Sequence, residues 1–204
     1  MVLLVLTVVI GYLLGNVNGA VCISRLMGDD VRSHGSGNAG LTNFIRSYGA
    51  GRSLAVILID AGKAVVACLL GGLLNRELGY QAGAAIGGAA VLLGHTFPAL
   101  LKFRGGKGIL SGLFVAIMVD WRIALLILVV FAAFYLTTQY VSLGSVMAAL
   151  AFSAGFAVLH WGDWIVMSCG ILMGLLATFM HRQNILRLLQ GQERKTNLFK
   201  KEKE

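Results

Sequence analysis

Long apolar runs separated by short polar stretches dominate the chain. The runs cover residues 2–24, 52–74, 81–101, 109–119, 122–139, 143–159 and 164–181. A bilayer core about 30 Å thick needs roughly 20 apolar residues per spanning helix, and most of the runs approach that length. The pattern predicts an all-α fold, a polytopic membrane bundle of about seven transmembrane helices. Because the run 109–119 is too short to cross alone, five spans with re-entrant pieces is the alternative.

The composition also indicates a membrane protein. Of the 204 residues, 57% are apolar and 13% are charged, which is more hydrophobic length than a soluble domain can bury. No Lys or Arg precedes the first run, so we expect a permanent helix there rather than a cleaved signal peptide. The three cysteines lack CxxC spacing, which disfavours a metal site or a disulfide. We expect one transmembrane domain over 1–195 and a basic, flexible cytoplasmic tail over 196–204.

Basic residues are distributed unevenly among the loops. The loop 25–52 holds four arginines, the loop 102–107 holds three cations, and the segment from 182 onward holds seven. The loops between these offer only Arg76 and Arg122, each beside an acidic residue. The positive-inside rule therefore predicts an external N-terminus and a cytoplasmic C-terminus. The net charge of +8 is then a topology signal, and binding of nucleic acid is not expected.

Glycines recur at four-residue spacing within several runs. Such spacing places small residues on one helix face, which allows close helix packing. A groove for a lipid chain is the alternative use of these surfaces. The glycines concerned are Gly11, Gly15 and Gly19, Gly83 and Gly87, and Gly170 and Gly174.

The first polar cluster, residues 34–43, reads HGSGNAGLTN and is followed by Arg46. It contains GxGxxG, but it follows a membrane helix rather than a strand, so dinucleotide binding is rejected. Hydroxyls, carboxamides, free N–H groups and a guanidinium suit phosphate oxygens. A polar turn is the alternative. The residues expected to contact a ligand are Ser36, Gly37, Asn38, Thr42, Asn43 and Arg46.

The second cluster comprises GHTFP at residues 94–98 and FRGGKG at 103–108. Glycines let successive N–H groups turn toward one anion, and Lys107 adds a full positive charge. The segment is not a Walker A loop, because Leu101 occupies the first glycine position. The role of His95 is open, since a histidine at a helix end is often satisfied by a backbone carbonyl. The residues expected to cradle a phosphate are Gly105, Gly106, Lys107 and Gly108.

The third cluster, HRQNILR at residues 181–187, places His181 and Asn184 on one helix face if the last run continues. Ser142, in a short turn on the same predicted face, could add a hydroxyl. Inside the second run, Asp60 and Lys63 lie three residues apart, and a structural pair is as plausible as contact with substrate.

These three clusters, in this order, resemble the motifs of the PlsY family, the bacterial acyl-phosphate:glycerol-3-phosphate acyltransferases. The resemblance implies an inner-membrane enzyme that moves a fatty acyl group from acyl phosphate to the 1-position of glycerol 3-phosphate. The product is lysophosphatidic acid, at the start of phospholipid synthesis, and neither metal, coenzyme A nor another cofactor is needed. The chain departs from the family at 16–18, Asn-Val-Asn instead of Ser-x-Pro, and at 109–111, Ile-Leu-Ser instead of Val-Ala-Thr.

The resemblance also implies the site. No histidine forms a His-x4-Asp motif with a later aspartate. We therefore expect catalysis by positioning and electrostatics rather than by a His-Asp dyad. The expected mechanism is direct transfer, with the proton acceptor open among His95, His181 and a substrate phosphate. We expect a monomer whose partners are its two substrates and membrane lipid, with the site facing the cytoplasm. A phosphate-metabolite transporter is the rival function. The expected catalytic residues are Lys107, His181, His95 and Arg46, and the expected substrate-binding residues are Ser36, Gly37, Asn38, Thr42, Asn43, Gly105, Gly106, Gly108, Ser142, Asn184 and Arg182.

Overall fold

The computed structural model describes residues 1–195, and the basic tail expected over 196–204 lies outside this part. The described chain is all-helical, as the apolar pattern predicts. Its α-helices are α1 (Val2–Asn16), α2 (Gly19–Leu26), α3 (Leu41–Tyr48), α4 (Ser53–Leu74), α5 (Tyr80–Thr96), α6 (Ile109–Val119), α7 (Trp121–Thr138), α8 (Val141–Leu159), α9 (Trp164–Met180) and α10 (Arg182–Leu189). Short 3₁₀ turns lie at Val31–Ser33, Arg76–Leu78 and Ala99–Leu101.

Every apolar run of the sequence forms helix, but fewer of them qualify as spans than the seven expected. Within the described residues, five stretches are long and apolar enough to cross a membrane: Val2–Leu26, Ser53–Leu74, Tyr80–Leu101, Trp121–Thr138 and Val141–Leu159. A sixth arises if α9 and α10, which are bent by 53° relative to each other, are counted as one span. Helix α6 is apolar but has only 11 residues, so the count is five or six.

The first apolar run is broken, where the sequence predicts one continuous helix over 2–24. Helix α1 ends at Asn16, and α2 begins at Gly19. The Asn18 side chain accepts a hydrogen bond from Val21 N at 3.0 Å, which caps α2, and donates to Ala39 O at 2.9 Å. The N–H of Gly19 donates to Asp60 Oδ1 at 3.1 Å. Side chains thus replace the helical backbone hydrogen bonds lost at the break.

The repeated glycines hold helices in direct backbone contact. A Cβ built on Gly15 of α1 would lie 2.3 Å from Val91 O of α5, and one built on Gly94 would lie 2.1 Å from Tyr12 O. Real Cβ atoms do not approach other atoms this closely, so larger residues would separate α1 from α5. The close-packing interpretation of the glycine spacing is confirmed at this interface.

The bundle has two buried apolar clusters. The larger one lies among α4 to α9 and includes Val91, Val115 and Phe156. The smaller one joins α2, α3 and α4 to the loop before α3, through residues that include Val31 and Phe44. This smaller apolar cluster fixes the loop 27–40 against the bundle, and the loop forms one wall of the site.

Candidate functional site

The three polar clusters meet around one cavity of about 740 Å³. One comes from the loop before α3, one from the segment between α5 and α6, and one from the α9–α10 junction, so residues far apart in sequence become neighbours. Eleven of the expected site residues line it: Ser36, Asn38, Thr42, Asn43, Arg46, His95, Lys107, Gly108, Ser142, His181 and Asn184.

Four expected residues do not line this cavity: Gly37, Gly105, Gly106 and Arg182. Gly105 and Gly106 pack behind it against the end of α5, where Gly106 N donates to His95 O at 3.0 Å. Arg182 is exposed, and its guanidinium stacks over the Phe179 ring at 4.5 Å. Gly37 has φ of +69°, a left-handed conformation suited to glycine. These residues shape the surroundings of the cavity rather than its wall.

Asn43 holds the first loop together. Its amide nitrogen lies 3.0 Å from Val31 O, 3.0 Å from His34 O and 3.1 Å from Asn38 O. Its side-chain oxygen accepts from Ser36 N at 3.0 Å. Since these contacts use both the donor and the acceptor capacity of the amide, Asn43 shapes the wall that presents its neighbours to the cavity.

A chain of side-chain hydrogen bonds crosses the polar end of the cavity. The Lys107 ammonium donates to the Asn184 side-chain oxygen, and the Asn184 amide donates to Glu193 Oε1 at 3.1 Å. Glu193 Oε2 accepts from Arg187 Nε at 2.8 Å. The Glu193 side chain is only 7% exposed, because the segment after α10 folds back over the cavity.

This end of the cavity is crowded with cations. The pKa of Lys107 is lowered to about 8, chiefly by burial and also by the nearby Arg187 and Arg46, while Glu193 opposes them. Burial also lowers the pKa of Arg46. At Glu193 burial raises the pKa, but hydrogen bonds from Arg187 and Asn184 outweigh it, so the carboxyl pKa is lowered. An entering phosphate would relieve the repulsion among these cations, which makes this end a site for anions.

His181 presents a hydrogen-bond acceptor to the cavity. Its Nδ1 lies 2.8 Å from the carbonyl oxygen of Ala177, one turn earlier in α9. A carbonyl only accepts, so Nδ1 carries the hydrogen and Nε2 of the neutral ring keeps its lone pair. His181 is buried and lines the cavity, so this lone pair is available to a proton from a bound hydroxyl.

His95 belongs to a buried polar network that includes the Asp60–Lys63 pair. Its Nδ1 lies 2.8 Å from Lys63 Nζ, which also donates to Asp60 Oδ1 at 2.7 Å and to Val17 O at 2.6 Å. The three side chains are each at most 5% exposed. The sequence left open whether this pair is structural or touches substrate, and the structure joins it to a cavity histidine.

The opposite end of the cavity is apolar. It is formed by side chains of α6, α7 and α8: Leu110, Leu113, Ile127, Leu128, Phe131 and Ala148. A smaller cavity of about 30 Å³ continues from it toward Phe152 and Met173. Ser142 lines the cavity near Glu193, whose pKa its hydroxyl helps to lower, although this buried hydroxyl makes no hydrogen bond of normal geometry with the described residues. The cavity can therefore hold a molecule with an anionic head and an apolar tail.

Sequence reasoning missed several lining residues. The sequence left the role of Asp60 open between structure and substrate contact, and it did not predict Glu193 or the apolar wall as part of the site, although all of these line the cavity. A signal existed for Glu193, because an isolated acid in a basic stretch, six residues after the end of the third cluster, needs a partner. No such signal existed for the apolar wall, whose residues look like ordinary membrane-helix residues. Among the described residues, no three His, Cys, Asp or Glu side chains are grouped to hold a metal ion.

The chain is similar to glycerol-3-phosphate acyltransferases along most of its length. The family model described as glycerol-3-phosphate acyltransferase matches residues 5–191. The glycerol-3-phosphate acyltransferase of Thermoanaerobacter sp. is 39% identical over 192 residues, which are 94% of this chain and 94% of the relative. That of Mesorhizobium japonicum is 36% identical over 193 residues, 94% and 95% of the two chains.

The fold is similar to two crystal structures of PlsY (YgiH), an integral membrane glycerol 3-phosphate acyltransferase. Its glycerol 3-phosphate form has a TM-score of 0.86 at 31% identity, with 97% of this chain and 99% of that chain covered. Its lysophosphatidic acid form has a TM-score of 0.83 at 31% identity, with 95% of each chain covered. Sequence and fold similarity therefore extend over the same, nearly complete, length.

Proposed function

This chain belongs to the glycerol-3-phosphate acyltransferase family, and from this membership we propose that its acyl donor is acyl phosphate and that transfer to glycerol 3-phosphate is direct. The protein is an integral membrane acyltransferase of phospholipid synthesis. The proposal concerns the finer chemistry: the 1-hydroxyl of glycerol 3-phosphate attacks the acyl carbon, and the products are lysophosphatidic acid and inorganic phosphate.

The observation that carries the proposal is the division of one cavity into a cationic end and an apolar end. Arg46, Lys107 and Arg187 line the cationic end, which gives it capacity for more than one phosphate. A fatty acyl phosphate matches both ends, since its head is an anion and its tail is apolar. A coenzyme A thioester would bring a nucleotide and a long arm into the same 740 Å³, leaving less room for glycerol 3-phosphate.

The residues divide between the two substrates. Lys107 and the N–H groups near Gly108 stabilise the departing phosphate of the donor, together with Ser36 and Asn38 of the facing loop. Arg46, Asn184 and Ser142 orient glycerol 3-phosphate, with Thr42 on the adjoining wall. This arrangement places two reactants in one geometry, which accounts for a large part of the catalysis expected from such a site.

The reaction balances without a cofactor. The hydroxyl oxygen of glycerol 3-phosphate forms a bond to the acyl carbon, and the bond from that carbon to the phosphate oxygen breaks. The electron pair of the broken bond leaves with inorganic phosphate, whose charge Lys107 offsets. The hydroxyl proton goes to Nε2 of His181, the ring nitrogen that is free to accept it.

Hydrogen bonding of the histidines supports direct transfer. A covalent route through a serine would need a hydroxyl activated by an adjacent base. His95 uses Nδ1 to accept from Lys63, and His181 uses Nδ1 to donate to Ala177. Neither ring is paired with a serine or threonine hydroxyl among the described residues.

Purified protein supplied with glycerol 3-phosphate and a synthetic acyl phosphate tests the donor. We expect lysophosphatidic acid, and much less of it when acyl-CoA replaces acyl phosphate. Equal or greater product from acyl-CoA would overturn the donor assignment.

Labelled inorganic phosphate tests the direct route, because a covalent acyl-enzyme would exchange the label into acyl phosphate without glycerol 3-phosphate. We expect no such exchange.

The distribution of basic loops supports a bacterial inner-membrane location with the cavity facing the cytoplasm. All three loops that line the cavity belong to the predicted cytoplasmic set. Single cysteines at two exposed positions, Arg52→Cys and Arg76→Cys in a chain whose own cysteines are replaced, test this orientation. In intact cells an impermeant thiol reagent should label only the second, and labelling of the first would reverse the orientation.

A further inference from the structure

Lys63 lies at the centre of a buried group of acceptors. Its Nζ is 2.7 Å from Asp60 Oδ1, 2.6 Å from Val17 O and 2.8 Å from His95 Nδ1. Gly15 O lies farther away, at 3.4 Å. The network thus joins the break between α1 and α2 to α4 and to the end of α5, just where the second polar cluster begins.

The protonation state of Lys63 determines which ring nitrogen of His95 carries the hydrogen. An ammonium has three protons, which match the carboxylate of Asp60, the carbonyl of Val17 and the ring nitrogen of His95. A neutral amine would leave the buried carboxylate without a counter-charge, which is costly in this interior. The ammonium therefore donates to Nδ1, and a neutral ring that accepts at Nδ1 carries its hydrogen on Nε2.

The Nε2 edge of His95 faces the glycine segment. A Cβ built on Gly106 would lie 2.2 Å from Nε2, so only glycine allows the ring to occupy this position. Within residues 1–195 no partner accepts a hydrogen bond from Nε2, and His95 lines the large cavity. Nε2 is not among the fully enclosed side-chain atoms that lack a partner in the described residues, so it borders the cavity beside Gly106, and its hydrogen is left for a molecule there.

We propose that Lys63 is a positioning residue for the acyl transfer: it holds His95 as a hydrogen-bond donor to a substrate oxygen. His181, with its hydrogen on Nδ1, presents the opposite polarity, an acceptor. The two cavity histidines thus divide the acid and base roles, and backbone and lysine contacts outside the cavity decide which histidine takes which role. Only the identity of the receiving oxygen rests on the proposed function.

Nitrogen NMR of the whole protein, labelled with ¹⁵N in its histidine rings, tests the assignment without substrate. The chain has four histidines, and the spectrum of His95→Gln identifies the signals of this ring. We expect His95 with Nε2 protonated and Nδ1 unprotonated, and His181 with the reverse pattern. A His95 ring protonated on Nδ1, or on both nitrogens, would overturn the proposal even if the enzyme used acyl phosphate as proposed.

A neutral replacement of the pair tests the role of Lys63. Lys63→Met alone would leave Asp60 buried and unpaired, so the variant is Asp60→Asn with Lys63→Met, which keeps an oxygen for Gly19 N–H. We expect a folded protein in which His95 signals of both tautomers appear, with kcat reduced about 10²-fold, as for the loss of one oxyanion donor. Exposed Lys102→Met is the control and should leave spectrum and kcat unchanged. An unaltered His95 spectrum, or unaltered kcat, in the double variant would contradict the positioning role. If that variant does not fold, the wild-type spectrum decides the proposal.

Discussion

Lys107, between α5 and α6, donates a hydrogen bond to the side-chain oxygen of Asn184 in α10. The contact connects two clusters that are 77 residues apart in sequence. It places the ammonium over the polar end of the cavity and directs the Asn184 amide toward Glu193. A lysine held in this way is oriented before any substrate arrives, which reduces the entropy lost on binding.

Lys107→Ala should reduce kcat by orders of magnitude while the protein still folds. The side chain offsets charge on the leaving phosphate, and comparable removals of one electrostatic group cost about 10²–10³-fold. Steady-state kinetics with acyl phosphate measures the effect. Lys102→Ala removes a cation from the same segment but outside the cavity, and it should behave as wild type. Equal activity of the two variants would remove Lys107 from the site.

The value of kcat/KM should fall as pH rises through about 8, the pKa to which burial and nearby cations lower Lys107. The sign follows from the chemistry, because the charged ammonium binds phosphate and is lost above its pKa. A pH profile of the free enzyme measures this limb. Lys107→Arg keeps its charge at higher pH, so in that variant the limb should move upward. If kcat/KM of this variant falls at the same pH as that of the wild type, the titrating group is not Lys107.

His181→Gln should lower kcat by about 10²–10⁴-fold, the usual contribution of a general base. The reason is that glutamine cannot take up a proton at the position of Nε2. The neighbouring Gln183→Ala, at an exposed position of α10, is the matched control. If His181→Gln stays near wild-type rate, a phosphate oxygen of the substrate becomes the better candidate for proton acceptor.

Gly106→Ala should inactivate the enzyme although Gly106 itself does not line the cavity. The added methyl would lie 2.2 Å from His95 Nε2, so the ring has to move away from its position. Gly51→Ala is the control, because a Cβ there would meet nothing within 4 Å. Activity and thermal unfolding of both variants should be compared. Wild-type activity of Gly106→Ala would show that the position of the ring does not matter.

Ala148→Phe should impair long-chain acyl phosphates more than short-chain ones. Ala148 is buried in α8 at the apolar end of the cavity, so a phenyl ring would occupy space needed by the chain. The ratio of kcat/KM values for a long and a short donor measures the change. Ala154→Phe, exposed on the same helix, should leave the ratio unaltered. A parallel loss for both donors would mean that the tail lies elsewhere.

The sequence predicted much of this molecule because membrane helices and anion sites leave strong local patterns. Hydropathy located every helix-forming apolar run, and the three polar clusters contained most of the polar cavity wall. The number of membrane-spanning helices was harder to predict, since α6 is apolar yet only 11 residues long.

The differences between the expected site and the observed cavity wall share one cause: sequence indicates which residues are present but not which way they face after folding. Arg182 and Asn184 are two residues apart, yet only Asn184 lines the cavity. Gly106, which the sequence predicts as a phosphate ligand, lies outside the cavity wall and makes room for His95. Glu193 enters the site because the chain turns back after α10, and such a turn depends on tertiary contacts.

The break between α1 and α2 has a consequence for biogenesis. Val17 O and Gly19 N, on either side of the break, take their partners from Lys63 and Asp60 of α4. During synthesis α1 and α2 emerge from the ribosome before α4, so these backbone groups have no protein partner in the bilayer until α4 inserts. Unpaired backbone groups are costly in lipid. The first apolar segment therefore completes its backbone hydrogen bonding only together with α4.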